Sequence, residues 1–252
     1  MPKKKVIELP PLQNITSTRV ICIKNPPFTA TFCYIEPLRK TSIRHAIPPY
    51  FYSLFIGLLL SEGWVNIHGK TNSKARIKFC QPYVNKEYIY YVFREVHMYC
   101  EKYPYRYNSN LKGKPVDIIL ISTRWLFCLT DVYNMFYIKN VKRVPSNIYD
   151  LLTPFVLAHW VMGSGISLQG RGIKLYTNFN NIFDTVKLVN VLMIKYRLRC
   201  SLRLEKNKQI IYIYRSSLNT LFMIIKPYML YSMIKKYNRP IYIFWGIFLF
   251  LL

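Results

Sequence analysis

The sequence predicts an α+β fold made of two pseudo-symmetric halves, each with the element order αββαββα. Two nearly apolar helical segments, residues 50–63 and 155–165, each follow a proline and end at a glycine. Proline favours the start of a helix and glycine its end. Each segment is followed by two short strand patterns, an amphipathic helical pattern and further strand patterns. Repetition of this order after about 100 residues indicates a duplicated unit.

Each element of this fold has its own sequence signal. The two apolar segments are hydrophobic almost all round, so we expect both helices to be buried. In the first half the pattern predicts helix 50–63, strands 64–68 and 75–81, helix 86–99, strand 117–122 and helix 124–136. In the second half it predicts helix 155–165, strands 166–169 and 173–178, helix 181–196, strands 197–204 and 209–214, and helix 218–225. The expected boundaries are an N-terminal extension over 1–47, a first half over 48–143, a second half over 144–239 and an apolar C-terminal tail over 240–252.

The charge of the chain limits the classes of partner. It has 36 Lys and Arg against 11 Asp and Glu, a formal net charge of +25, and 52% of its residues are hydrophobic. The hydrophobic content excludes a disordered basic tail. An ordinary cytosolic metabolic enzyme would not carry this excess, which favours a polyanionic partner, either nucleic acid or an anionic membrane. The six cysteines include no C-x-x-C pair, so neither a zinc ribbon nor a disulfide scaffold is predicted.

Several predicted strands alternate between apolar and basic residues. In residues 197–204 the apolar set Leu198, Cys200, Leu202 and Leu204 alternates with Arg197, Arg199, Ser201 and Arg203. A sheet that is packed on one face and cationic on the other can lie in a DNA groove, where Arg reads guanine and Asn or Gln reads adenine. The candidate base-contacting residues are Asn66, His68, Arg76, Lys78, Gln81, Gln169, Arg171, Lys174, Asn178, Arg199 and Arg203.

Nine residues at the end of each apolar segment resemble one known motif. These are FIGLLLSEG at residues 55–63 and LAHWVMGSG at residues 157–165. With them the chain resembles the LAGLIDADG homing endonucleases in their tandem, single-chain form. The run Val144–Pro154, Lys226-Pro-Tyr228 and the ending Ser232–Lys236 are similar to the mitochondrial intron-encoded branch. The resemblance covers about residues 50–238.

The resemblance implies a fold and an activity. It implies that the two motif helices pair at the interface between the halves beneath a DNA-binding β-saddle, where the small residues Gly57 and Ala158 allow close approach. It also implies a mitochondrial monomer that cuts a long double-stranded DNA site with Mg²⁺ or Mn²⁺ across the minor groove, in intron homing. Such ions neutralise the phosphate, activate water and stabilise the leaving oxygen.

The site residues implied by the resemblance show one departure from the pattern. Position eight of each motif is a metal-binding acid in the family; it is Glu62 in the first copy and Ser164, after Gly163, in the second. A neutral hydroxyl cannot offset a divalent charge, so we expect one metal position to be weakened. Lys142 and Lys236 match the family's active-site lysines by position, with the neighbouring residues Arg143 and Lys235 as alternative counterparts.

Two other functions stay open at this stage. The missing acid favours a DNA binder that does not cut, or a maturase that binds group I intron RNA during splicing. The second alternative is a membrane-associated protein that uses the apolar residues 241–252 and the basic face. These twelve residues are too few to span a bilayer, so we expect no transmembrane helix and expect this segment to pack on the body.

Overall fold

A computed structural model of the chain describes residues 20–21, 34–35, 47–69, 73–111, 114–168, 171–205 and 208–237. Most of the predicted N-terminal extension, the apolar tail and Gln169 lie outside these residues. Side chains are not described at residues 20–21, 34–35, 109–116 and 235–236. Strands β1 (Val20–Ile21) and β2 (Tyr34–Ile35) pair antiparallel in the extension.

The predicted α+β fold and the repeat of αββαββα are confirmed. The first repeat comprises α1 (Pro49–Leu60), β3 (Trp64–His68), β4 (Lys74–Pro82), α2 (Lys86–Val96), β5 (Tyr105–Leu111), β6 (Lys114–Ser122) and α3 (Thr130–Phe136). The connection comprises β7 (Tyr137–Ile138), β8 (Val141–Lys142) and α4 (Ile148–Leu151). The second repeat comprises α5 (Pro154–Ser164), β9 (Gly165–Ser167), β10 (Gly172–Tyr176), α6 (Ile182–Tyr196), β11 (Cys200–Glu205), β12 (Lys208–Tyr214) and α7 (Leu218–Ile225), and α8 (Tyr231–Tyr237) follows it.

Each repeat contributes one four-stranded antiparallel sheet. The strand orders are β3-β4-β6-β5 and β11-β12-β10-β9. The apolar faces of both sheets pack with the helices into one core that includes Phe79, Trp160 and Ile211. The division of the chain at residues 143 and 144 stays a prediction, since the repeats share this core.

Two segments of the first repeat differ from the prediction. Strand β5 was missed because its sequence, YRYNSNL, is polar and lacks an apolar face; it forms through hairpin pairing with β6, from Tyr105 opposite Leu120 to Leu111 opposite Lys114. The predicted helix 124–136 begins only at Thr130, because the preceding residues pair with β4. Leu126 and Ala75 exchange main-chain hydrogen bonds of 2.8 and 3.1 Å.

The two motif helices α1 and α5 meet at matching motif positions. At the third position, a Cβ added to Gly57 would lie 2.7 Å from Cβ of His159. At the seventh position, a Cβ added to Gly163 would lie 2.5 Å from Oγ of Ser61. Each close approach therefore requires glycine on one helix. The predicted role of Gly57 has a direct geometric basis, and Ala158 is fully buried in α5.

Two smaller expectations concern membranes and thiols. None of the helices in the described part of the chain is both long and apolar enough to cross a bilayer. Cys80, Cys100, Cys128 and Cys200 carry free thiols.

Candidate active site

Glu62 stands just beyond the end of α1, between the two repeats. The helix ends at Leu60, and the chain turns there through a hydrogen bond from Gly63 N to Leu58 O of 2.8 Å. Nδ2 of Asn178, from the second repeat, donates to Oε2 of Glu62 over 2.9 Å. The carboxylate of Glu62 is thus oriented by a residue of the other half. Asn178 was predicted to contact bases from a strand, but β10 ends at Tyr176 and Asn178 reaches Glu62 instead.

Lys142 lies close enough to Glu62 for the two charges to interact. Its Nζ donates to the main-chain oxygen of Gly63 over 2.7 Å and lies 5.3 Å from the centre of the Phe179 ring. Burial lowers the pKa of Lys142 to about 7, while the negative charge of Glu62 acts in the opposite direction. An amine with this pKa can hold or release a proton near neutral pH.

The β7–β8 hairpin sets the position of Lys142. Its turn residues Lys139 and Asn140 both have positive φ, 50° and 62°. Two-residue hairpin turns that match the right-handed twist of the strands require this conformation. The hydroxyl of Tyr133 donates to Oδ1 of Asn140 over 2.6 Å, and the ring of Tyr133 stacks on Tyr137 at 4.8 Å. Side-chain contacts therefore hold a turn that contains no glycine.

Ser164 occupies the matching end of α5 but faces the helix. It is buried, and its Oγ donates to the main-chain oxygen of Trp160 over 3.1 Å. The main-chain oxygen of the preceding Gly163 accepts from Nε2 of Gln81 over 2.8 Å. The second motif therefore offers main-chain and hydroxyl oxygens where the first offers a carboxylate.

The prediction that Gln81 contacts DNA from the cationic face of its strand is wrong. Along β4, Gln81 lies on the same face as Ala75, Ile77 and Phe79, and only 2% of its surface is exposed. The side-chain amide of Gln81 makes two hydrogen bonds. Its Nε2 donates to the main-chain oxygen of Gly163, and its Oε1 accepts from Nδ2 of Asn85 over 3.0 Å. Gln81 is a contact between the halves.

The oxygen atoms at the two motif helix ends are suitable ligands for one divalent cation and not for two. Mg²⁺ is commonly held by one or two carboxylates with water and substrate oxygens. Glu62 supplies one such carboxylate, partly exposed and already oriented. Among the described residues no group of three or more His, Cys, Asp or Glu is placed to hold a metal ion. A second cation at Ser164 would meet a buried, neutral hydroxyl.

The first cationic face consists of Asn66, His68, Arg76 and Lys78 on β3 and β4. Asn66 lies opposite Arg76 in the strand register, so both side chains project from the same face. The guanidinium of Arg76 lies 4.4 Å from the Trp125 ring centre, and the His68 ring lies 5.5 Å from the same ring. The Trp125 ring therefore packs against two of the four predicted DNA-contacting side chains, Arg76 and His68.

The second cationic face consists of Lys174, Arg199 and Arg203 on and beside β10 and β11. Lys174 and Ser201 both lie opposite Tyr212, which joins the three strands into one face. The guanidinium of Arg203 lies 3.8 Å from the Tyr212 ring centre, and Nζ of Lys174 donates to Oε2 of Glu205 over 2.7 Å. The sequence analysis did not identify Tyr212 or Glu205, because burial does not alternate along β12 or around the end of β11.

Three further predicted positions have a defined place. Arg171 is exposed just before β10. Leu204, expected in the core, is 69% exposed, in keeping with burial that decreases along β11 from Cys200. Lys236 lies in α8, whose Tyr237 hydroxyl contacts the main-chain oxygens of Val161 and Gly165 at 2.7 and 2.9 Å. The backbone of Lys236 is thus anchored near the end of the second motif.

His159, at the third motif position of α5, is buried in the interface between the helices. Its Nδ1 lies 2.9 Å from the hydroxyl of Tyr88, and its Nε2 has no hydrogen-bond partner among the described residues. Burial lowers the pKa of His159 to about 3, so the ring is neutral in the folded protein. Its proximity to Gly57 and Tyr88 gives it a packing role in the interface.

We expect His159 to make the stability of the protein depend on pH. Because its pKa is lower in the folded than in the unfolded state, where it is about 6.5, its contribution is full above pH 6.5 and is lost as the pH falls towards 3. The free energy of unfolding should fall by up to about 1.4 kcal/mol per pH unit in this window. Urea unfolding at about pH 7 and about pH 5 should show a loss of about 2 kcal/mol that His159→Gln removes. If His159→Gln keeps the full pH dependence while the exposed His68→Gln removes it, this assignment is wrong.

Comparison with known proteins places the chain in a family. Residues 52–221 match the sequence model of the LAGLIDADG DNA endonuclease family, which is more than half of the chain. The chain therefore belongs to this family, and it carries two copies of the family's motif helix. The fold and the paired helix ends agree with that assignment.

Its relatives include proteins of two named activities. Cytochrome b mRNA maturase bI2 of Saccharomyces cerevisiae is 30% identical over 211 residues, which are 76% of this chain and 47% of that protein. Intron-encoded endonuclease ai4 of Dictyostelium discoideum is 37% identical over 108 residues, which are 42% of this chain and 67% of that protein. The chain thus spans about half the length of the yeast maturase.

A solved structure shares the fold. It is described as the homing endonuclease I-WcaI bound to its DNA recognition sequence. It matches with a TM-score of 0.69 at 23% identity and covers 77% of this chain and 89% of the other.

Proposed function

We propose that the chain is an intron-encoded, site-specific DNA endonuclease with one intact and one impaired half of its active centre. The observation that carries this proposal is the hydrogen bond from Lys142 to the main-chain oxygen of Gly63, next to Glu62 at the end of the first motif helix, while Ser164 stands at the end of the second. In this account the chain hydrolyses one DNA strand efficiently and the other poorly. The membership in a DNA endonuclease family supports the chemistry.

The two cationic faces are proposed to bind one long double-stranded DNA site. Arg76, Lys78, Arg199 and Arg203 would neutralise phosphates or read bases in the major groove. Tyr212 and Trp125 stiffen Arg203 and Arg76 by stacking, which reduces the entropy lost when these side chains contact DNA. Both motif helices come from one chain, which supports a monomer as the working unit. Action in the mitochondrion, as in the branch of the family that the sequence resembles, is part of the same proposal.

The residues at the first motif end divide the chemical work. Glu62, with the main-chain oxygen of Gly163, would hold a Mg²⁺ or Mn²⁺ ion, which when bound activates water and neutralises the phosphate. Asn178 orients the Glu62 carboxylate through its hydrogen bond. Lys142 donates a hydrogen bond from Nζ, and near a scissile phosphate it would stabilise developing negative charge or exchange a proton with water. Lys236 is the proposed counterpart in the second half.

The proposal is tested with DNA that carries the uninterrupted insertion site of the host intron. The purified chain should bind this duplex in preference to a shuffled duplex and hydrolyse it only when Mg²⁺ or Mn²⁺ is present. Competition at several salt concentrations separates specific binding from backbone attraction. Binding without any hydrolysis would leave a DNA-binding protein, and equal binding to both duplexes would contradict site specificity.

The second candidate is an RNA-splicing maturase, and one observation favours it. Two relatives, from Saccharomyces cerevisiae and Debaryomyces hansenii, are named cytochrome b mRNA maturase bI2. A weakened cleavage site would not hinder such a role. If the chain is a maturase, it should accelerate splicing of the host intron RNA, and the Glu62→Gln variant should accelerate splicing as much as the wild type does. RNA affinity no greater than for an unrelated RNA at physiological salt would remove this candidate.

A further inference from the structure

One carboxylate of this acid-poor chain is completely buried at the junction of the two halves. Oδ2 of Asp184, near the start of α6, accepts from Nε of Arg143 over 2.6 Å, and the Asp184 side chain is fully shielded from solvent. Nζ of Lys187 lies 4.0 Å from Oδ1 of the same carboxylate. A buried carboxylate is costly unless it is paired, so the Arg143 contact offsets this cost.

The arginine in this pair follows Lys142 directly in the chain. Arg143 N donates to Phe136 O over 2.7 Å, which closes the base of the β7–β8 hairpin that ends at Lys142. Lys142 in turn donates to Gly63 O beside Glu62. The ion pair between Asp184 and Arg143 therefore restrains the backbone from which the Lys142 side chain extends.

The same helix position in the first repeat also reaches across the interface. Tyr88 is the third residue of α2, as Asp184 is the third residue of α6, and both are buried. The Tyr88 hydroxyl contacts Nδ1 of His159, in the motif helix of the second repeat. Tyr88 thus joins the first repeat to the second, whereas Asp184 joins the second repeat to the connection and does so with a charged side chain.

We propose that Asp184 is a positioning residue for Lys142: through Arg143 it holds the hairpin so that the amine stands at Gly63 and Glu62. A residue of the second repeat thereby positions the active-site lysine, which lies in the connection between the repeats. The inference rests on the proposed function, in which Lys142 acts on the scissile phosphate. Asp184 itself touches neither DNA nor metal in this account.

The first test is kinetic and uses all 252 residues of the chain. Asp184→Asn should lower the single-turnover rate of strand cleavage at saturating DNA by about tenfold or more, with DNA affinity unchanged within about twofold. In a Lys142→Met background Asp184→Asn should lower the cleavage rate little further, because Asp184 acts through Lys142. Asp117→Asn, which breaks the exposed pair with Arg106, is the matched control and should leave the rate unchanged. An equal loss in both backgrounds would show a general structural role and overturn the proposal.

The second test does not depend on cleavage. NMR of the protein with ¹³C-methylated lysines, with Lys142→Arg for assignment, reports the surroundings of the Lys142 amine. The Lys142 resonance should move to the position of exposed lysines in Asp184→Asn and stay in place in Asp117→Asn. If Asp184→Asn does not fold, Arg143→Lys keeps the charge but loses the guanidinium geometry, and it should move the same resonance. A Lys142 resonance unchanged in a folded variant overturns the inference; a wild type that cuts nothing overturns the proposed function and leaves this second test valid.

Discussion

Glu62→Gln is expected to lower metal-dependent DNA hydrolysis by about a thousandfold or more, with little change in DNA affinity. Glu62 is the carboxylate at the motif helix ends, since Ser164 replaces the second acid. The amide has nearly the same shape and can keep a contact with Asn178, but it cannot offset a divalent charge. The loss should therefore appear in the rate at saturating DNA, as for other groups that stabilise charge in the transition state.

Single-turnover assays with end-labelled DNA, run beside binding titrations, measure this effect. Glu101→Gln removes a carboxylate from an exposed position outside the site and serves as the matched control. If Glu62→Gln keeps more than about a tenth of the wild-type rate, the cation is not held mainly by this residue. If it loses affinity instead of rate, Glu62 acts in binding.

Ser164→Asp is expected to restore cleavage of the poorly cut strand by about tenfold or more in Mg²⁺. The substitution returns an acid to the position that matches Glu62. The Ser164 hydroxyl bonds to Trp160 O in a buried place, so a carboxylate there loses that donor and faces a carbonyl oxygen. We therefore expect the variant to be less stable without a divalent ion, by about 1–3 kcal/mol, and to be stabilised by Mg²⁺ more than the wild type is.

Ser164→Asn is the matched control, because it has the size of Asp and no charge. It should show the loss of stability without the gain in cleavage. If Ser164→Asp binds DNA and metal normally but cuts the second strand no faster than Ser164→Asn, the second half is impaired at a further position. Lys236 is the first residue to examine in that case.

The repeat and its motif helices were predictable because their signals are local. Proline, an apolar run and glycine mark both α1 and α5, and alternation marks the buried and cationic faces of β4 and β10. The same rule, applied strictly, would have placed Gln81 correctly: it has the parity of Ile77 and Phe79.

The contacts that complete the candidate site were not predictable from one sequence. Asn178 reaches Glu62 across the interface between the repeats, and Asp184 of the second repeat reaches Arg143 in the connection between them. No periodicity within a helix or strand encodes such a contact, because it depends on how two folded units dock. Strand β5 was missed for a similar reason, since its pairing with β6 stabilises a polar sequence.

We propose that one half of the active centre is chemically complete and that the other is not. This difference between the halves is measured by following each strand of the target duplex separately, with a different label on each, in one reaction with Mg²⁺. We expect a nicked duplex as the main product, with the second strand cut at least about tenfold more slowly. Cleavage of both strands at equal rates would contradict it.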